Sequence, residues 1–132
     1  MPWMEVTMPT SDAAVKQQLI ASLNQEFIDA TGFEDEILYI RFSEFEPGTA
    51  GAAGQLAQDK NFAHLILYTP RMRFDVKRSV VAGLTKSFEL AGIKPLIHIL
   101  EFPYDNIGVD GELLTDADEE LASRPYYFVL PR

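Results

Sequence analysis

The sequence predicts an α+β fold, a four-stranded mixed sheet with two helices on one face, assembled from two fused β-α-β units. Three observations predict it. Two helix-periodic stretches each lie between β-prone runs. The first half of the chain aligns on the second when shifted by sixty-one positions. Hydrophobic residues make up 47% and charged residues 23%, an ordinary globular balance. At 132 residues the chain suits one domain, and a chain near this size buries about two-thirds of its unfolded surface.

Residues 3–9, Trp-Met-Glu-Val-Thr-Met-Pro, alternate loosely and stop at Pro9, which reads as a short strand. Thr10, Ser11 and Asp12 then offer N-cap side chains ahead of Val15, Leu19, Leu23 and Phe27, which are spaced four apart with Ile20 beside them. That spacing predicts an amphipathic helix of about eighteen residues, closed near Gly32. Residues 37–46 form a second β-prone run, in which Ile37, Tyr39, Arg41, Ser43 and Phe45 share one face. Residues 47–61 are small and glycine-spaced, which reads as a hairpin or crossover loop, with a lid over a site as the alternative. Gly48, Gly51 and Gly54 do not have the G-x-G-x-x-G spacing of a dinucleotide fingerprint. Residues 62–70 make a strongly apolar strand, followed by Arg71-Met72-Arg73, a helix over 74–90, Gly92, and a strand over 93–102.

The repeat organises these elements. Shifted by sixty-one, Pro9 falls on Pro70, Val15-Lys16 on Val76-Lys77, Ala21 on Ala82, Leu23 on Leu84, Phe27 on Phe88 and Ala30 on Ala91, without a gap. Glu44-Phe45 and Glu101-Phe102 end the two later strands, at an offset reduced to fifty-seven. Each unit is expected to set two parallel strands side by side, with its helix crossing over one face. The chain therefore divides into a first unit over 2–46, a loop over 47–61, a second unit over 62–103 and a C-terminal tail over 104–132. The repeat is asymmetric where chemistry can live. Pro2 falls on Ala63, which has no free amine, and Thr10 falls on Arg71.

Pro2 is the first candidate for catalysis. A small second residue permits removal of the initiator Met, which leaves proline as a secondary amine; while Met1 acylates it, Pro2 is an inert amide. A free α-amine has a reference pKa of about 7.7–8.0, close to working pH, where a general base belongs. Arg71 and Arg73 flank Met72 at a helix entrance, where the helix dipole disfavours cations, so the pair points to anion binding. Arg41 lies on a largely apolar strand face, and substrate binding, surface and subunit interface are all open to it.

Other chemistries find little support. There are no cysteines, which excludes disulfides, thiolate metal sites and cysteine nucleophiles. His64 and His98 stand on strands without a third ligand at metal spacing, so structural histidines are expected. Ser11, Ser43 and Ser79 lack any G-x-S-x-G context. A net charge of −9 and a pI near 4.6 would repel a phosphate backbone, so no nucleic-acid partner is expected. No long apolar run or leader appears, so no membrane partner is expected and a soluble cytoplasmic protein is. Asp116, Asp118, Glu119 and Glu120 read as a solvated acidic stretch. Residues 126–130, Tyr-Tyr-Phe-Val-Leu, are too apolar to dangle and are expected to pair as a strand with a neighbouring subunit.

With Pro2 opening the first strand, two fused β-α-β units, Arg71-x-Arg73 after the third strand and Gly51 to Gly54 after the second, the chain resembles the tautomerase superfamily. That group includes 4-oxalocrotonate tautomerase, macrophage migration inhibitory factor and malonate semialdehyde decarboxylase. The stretch 101–111, Glu-Phe-Pro-Tyr-Asp-Asn-Ile-Gly-Val-Asp-Gly, is similar to a Glu-x-Pro, Trp-Gly, Gly segment of some members. The resemblance implies a homotrimer with sites between subunits, a catalytic amino-terminal proline, small 2-oxo-acid or enol carboxylate substrates and no cofactor. Residue by residue, Pro2 matches the catalytic proline. Arg71 and Arg73 match the carboxylate-holding pair of decarboxylase-like members, and Arg41 lies near a further substrate-binding arginine of 4-oxalocrotonate tautomerase. Tyr39, Phe102 and Ile107 fall among the substrate-binding positions. There are departures. Ile107 replaces a frequent tryptophan, Asp110 occupies a position that is often not acidic, and only Glu34, Asp35 and Glu36 lie near the decarboxylases' catalytic aspartate, with a one-residue gap. The reading implied is a tautomerase with neutral Pro2 as general base. A decarboxylase, or a dehalogenase or hydratase, with cationic Pro2 as acid is the second reading, and a non-catalytic trimeric small-molecule-binding protein is the third.

Overall fold

Period-two burial in the first strand sets up the layers of the molecule. The computed structural model describes residues 2–33, 38–57 and 61–119. In β1 (Trp3–Pro9), Met4, Val6 and Met8 are buried, while Trp3, Glu5 and Thr7 face the other way. The chain continues through α1 (Ala13–Thr31), β2 (Tyr39–Phe45), a small hairpin of β3 (Gly51–Ala52) and β4 (Gln55–Leu56), β5 (Phe62–Thr69), α2 (Phe74–Leu90) and β6 (Lys94–Glu101). The main sheet has the order β2-β1-β5-β6. Within each unit the strands are parallel, β1 with β2 and β5 with β6, and the units join through the antiparallel pair β1 and β5. This is the mixed sheet that the repeat predicts.

Both helices cover one face. Leu19, Leu23 and Phe27 of α1 and Val76, Val80, Leu84 and Phe88 of α2 pack with Met4, Val6, Met8, Ala63, Leu65 and Leu67 in a single core. Each fully buried Leu or Phe contributes about 1.5–3 kcal/mol relative to an exposed one. Ile20 lies outside this stripe and is 37% exposed, because it stands one position, about 100° of helix rotation, from Leu19. The helices approach closely at Gly83, where an added Cβ would lie 3.1 Å from Glu26 Cβ, and the Ser22 and Ser87 hydroxyls bond across the seam at 2.6 Å.

The helix ends follow from backbone chemistry. Gly32 takes the left-handed conformation (φ 67°) that a residue with a Cβ rarely adopts, and its N–H donates to Ile28 O at 2.8 Å. The N-terminus differs from the sequence expectation: Asp12 is the N-cap residue, but its side chain makes no capping bond, and Ser11 Oγ donates instead to Pro9 O. The carboxylate of Glu44, from the end of β2, accepts the Ser11 N–H at 2.9 Å. In the second unit Glu101, from the end of β6, accepts the Met72 N–H at 2.6 Å.

The 47–61 loop contains the β3–β4 hairpin, turning at Ala53 and Gly54 with φ of 51° and 80°. The tail begins with ordered structure. A 3-10 turn over Tyr104–Asn106 leads into a hairpin of β7 (Gly108–Val109) and β8 (Glu112–Leu113), and then the short α3 (Leu114–Ala117). Leu114 N–H donates to Ile107 O at 2.8 Å and ties this hairpin together. Asp116, Asp118 and Glu119 are exposed. Glu120, residues 126–130, Glu34 to Glu36 and Ile37 lie outside the described residues. Among the described residues no helix is long and apolar enough to cross a membrane.

Candidate active site

Strand direction decides which residues meet. β1 begins at Trp3, which pairs with Tyr39 at the start of β2 and with Tyr68 near the end of β5. On β6, Tyr68 and Thr69 pair with Leu100 and Glu101. One end of the sheet therefore gathers Pro2, the start of β2, the loop after β5 and the segment after β6. Four of the predicted site residues share that end with Pro2: Tyr39, Arg71, Phe102 and, through the turn that follows Phe102, Ile107. Arg41 lies two residues further along β2, opposite Glu5.

Pro2 is buried. Its carbonyl accepts a long hydrogen bond from Tyr39 N–H at 3.5 Å. On the open face of the sheet, Trp3 stacks on Tyr39 with ring centroids 4.2 Å apart, and the Arg41 guanidinium lies 5.4 Å from the Trp3 ring, within cation–π range. On the same face, toward β6, Tyr68 stacks on Phe102 at 5.9 Å, and Tyr68 OH donates to Glu5 Oε2 at 3.4 Å. Phe102 N–H donates to Thr69 O at 2.9 Å, which fixes the chain leaving β6 against the end of β5. Pro103 and Tyr104 are buried, and Ile107 is half-buried above them.

The two arginines of the Arg71-x-Arg73 stretch diverge. Arg71 is exposed in the loop between β5 and α2. Arg73 is the N-cap residue of α2, and its Nε and Nη2 donate to the Asp75 carboxylate at 3.2 and 3.4 Å. It lines a groove on the helix layer with Glu26, Asp29 and Lys86. The dipole penalty that points to anion binding is thus offset for Arg73 by an acid in its own first turn.

Trp3, Tyr68 and Thr69 belong to this sheet end but escaped sequence reasoning. Strand alternation gives their faces, whereas their meeting with Tyr39, Phe102 and Pro2 depends on long-range register. His64 Nε2 and His98 Nδ1 lie 2.7 Å apart on the open face, at mid-sheet and away from Pro2.

A cleft of about 370 Å³ opens at the opposite end, lined by Pro9, Ser11, Val15, Phe45, Asn61 and Ile93 among others, and it contains none of the predicted site residues. It is the repeat-related counterpart of the Pro2 end, with Pro9 for Pro70, Ser11 for Met72 and Phe45 for Phe102. Ala63 stands in the second unit where Pro2 stands in the first, and among the described residues no arginine lines that cleft.

No protein-family model matches the chain, and no curated protein matches it. Solved structures do. A crystal structure of native fused 4-OT aligns with a TM-score of 0.77 at 20% identity, over 86% of this chain and 97% of that one. Malonate semialdehyde decarboxylase aligns at 0.74 with 13% identity, over 89% and 98%. A member of the cis-3-chloroacrylic acid dehalogenase family aligns at 0.69 with 16% identity, over 93% and 92%. These likenesses show the fold.

Proposed function

We propose that this chain, which has the fold of the tautomerase superfamily, is an enzyme that moves a proton on a small 2-oxo or enol carboxylate, with the Pro2 amine as general base after loss of Met1. The observation that carries the reading is the register: it brings Pro2 at the head of β1 to the same sheet end as Arg71, Tyr39 and Phe102. Neutral Pro2 takes a proton from the carbon next to the oxo group and returns it to oxygen, or the reverse. An arginine fork holds the carboxylate. Arg71 and Arg41 lie at or near the Pro2 sheet end, whereas Arg73 lines the groove on the helix layer beside Asp75.

The assembly belongs to the same proposal. Fused 4-OT structures are asymmetric and symmetric trimers. Here the open sheet face carries Tyr39, Leu96 and Leu100 at 49, 48 and 44% exposure. Large apolar side chains left exposed on this mixed face support burial against further copies, and a trimer completes the site between subunits.

The test is ketonisation of the enol of a small 2-oxo acid, followed by ultraviolet absorbance. Pro2→Ala is expected to lose about 10²- to 10⁴-fold of turnover, the usual worth of a general base. A base role predicts activity rising with pH to a plateau as Pro2 deprotonates. Activity that falls over the same range assigns Pro2 the acid role, as in a decarboxylase or dehalogenase. Turnover unchanged in Pro2→Ala overturns the role of Pro2, and no turnover in the unaltered protein leaves a non-catalytic trimeric binding protein.

A further inference from the structure

Thr69 ends β5 and is 3% exposed, and its Oγ1 makes no hydrogen bond among the described residues. Buried hydroxyls are rarely left unpaired, because desolvating one without a partner is costly. Packing does not require the oxygen: valine has nearly the same shape and no polar atom. The main chain of Thr69 is in use, its carbonyl accepting from Phe102 N–H at 2.9 Å.

The register shows what stands beside it. Trp3 pairs with Tyr68 in the antiparallel β1–β5 ladder, and one step further sets Pro2 opposite Thr69. Directly opposed residues of such a ladder carry their side chains on the same face, with Cα atoms about 4.5–5.5 Å apart. Pro2 and Thr69 are both buried, two steps along from the buried pair Met4 and Leu67 on the helix-covered face.

While Met1 is attached, the Pro2 nitrogen is a tertiary amide with no hydrogen to give and a lone pair delocalised into the carbonyl. It then offers Thr69 nothing. Removal of Met1 makes it a secondary amine, with one N–H when neutral and two when protonated. We infer that Thr69 is a positioning residue for Pro2, its Oγ1 accepting a hydrogen bond from the processed Pro2 amine and fixing that nitrogen at the sheet end. The inference rests on the amine reading of Pro2 given above. Because a hydrogen bond is stronger to the charged form, Thr69 favours the protonated amine and raises its pKa. The charged and titratable groups on the surrounding elements include Glu5 of β1, Tyr39 and Arg41 of β2, Tyr68 of β5, Arg71 in the loop after β5, Glu101 of β6 with Asp75 and Lys77 of α2, and Asp105 after β6. Glu26 and Asp29 of α1 line the outer groove with Arg73. All of these are unchanged by substitution at Thr69, so a shift between variants reports its hydroxyl.

The test measures the rate at which bromopyruvate labels the amino terminus, by peptide mass spectrometry across pH, in the unaltered protein and in Thr69→Val, Thr69→Ala and Thr69→Ser. Only the neutral amine reacts, so the rate climbs through the amine pKa. Thr69→Val and Thr69→Ala are expected to lower the midpoint by about half to one pH unit, the excess of a charge-assisted over a neutral hydrogen bond. Thr69→Ser keeps the unaltered midpoint, and Thr69→Val melts no lower than the unaltered protein. Labelled Pro2 with the same midpoint in all variants overturns the role of Thr69 and leaves Pro2 standing. A shift in Thr69→Ser as large as in Thr69→Val also overturns it. Retained Met1, or no label on Pro2 of the unaltered protein, overturns both.

Discussion

Lys77 Nζ donates to Glu101 Oε1 at 2.7 Å, while the other oxygen of that carboxylate accepts the Met72 N–H at 2.6 Å. Sixty-one residues earlier Lys16 and Ser11 hold Glu44 in the same way, at 2.5 and 2.9 Å. In each unit one acid at the end of the second strand closes the entrance of the helix, where no side-chain cap bond is made.

That arrangement makes stability depend on pH. The Lys16 hydrogen bond first, and then the Ser11 N–H, hold the Glu44 carboxyl below its ordinary range. A depressed folded-state pKa contributes stability that is present above the unfolded value of about 4.3 and is lost as pH falls through the folded value. Glu44→Gln is therefore expected to melt below the unaltered protein at neutral pH, with the gap narrowing as the pH falls through the acid range. Melting curves across pH check this, and a gap that stays constant would contradict it.

Phe27 and Phe88 are repeat partners, and both are fully buried. Truncating either to alanine should cost about 3–5 kcal/mol in urea unfolding. A loss of under about 1 kcal/mol at either site would contradict its place in the shared core.

At Gly83 an added Cβ would lie 2.7 Å from Glu26 Oε2 and 3.1 Å from Glu26 Cβ. The carboxylate can swing aside, but the Cβ is fixed to the backbone. Gly83→Val should destabilise by about 1–3 kcal/mol in urea unfolding. Gly83→Ala should destabilise less, because alanine gains about 1 kcal/mol of helix propensity over glycine.

Among the arginines, Arg71→Ala and Arg41→Ala should each raise KM for a carboxylate substrate about tenfold or more, the worth of a hydrogen bond to a charged group. Arg73→Ala should change KM far less, since that guanidinium lines the groove on the helix layer and not the Pro2 sheet end. Steady-state kinetics decide the ranking, and an equal loss at Arg73 would reverse it.

Much of the fold was legible because it is local or repeated. The 3.6-residue stripe from Leu19 to Phe27, the punctuation at Pro9 and Gly32 and the match of Lys16 with Lys77 are all written in near neighbours or in the duplication. The partners were not. Alternation tells which face Trp3 and Tyr68 occupy, but only the antiparallel β1–β5 register puts them side by side and sets Pro2 against the end of β5. The helix dipole bears on Arg71 and Arg73 alike, whereas the fold turns Arg73 to the groove on the helix layer. Asp12 looked like a cap by residue type, yet the strand-end carboxylate of Glu44 performs that task from thirty-three residues away. The hydroxyl of Thr69, unpartnered among the described residues, is visible only once the fold is in place.

The most direct measurement is the mass of the amino-terminal peptide of the purified protein after exposure to bromopyruvate. The account predicts a chain that begins at Pro2 and carries the label there. Met1 still in place, or an exposed Pro2 left unlabelled while other nucleophiles react, would contradict it.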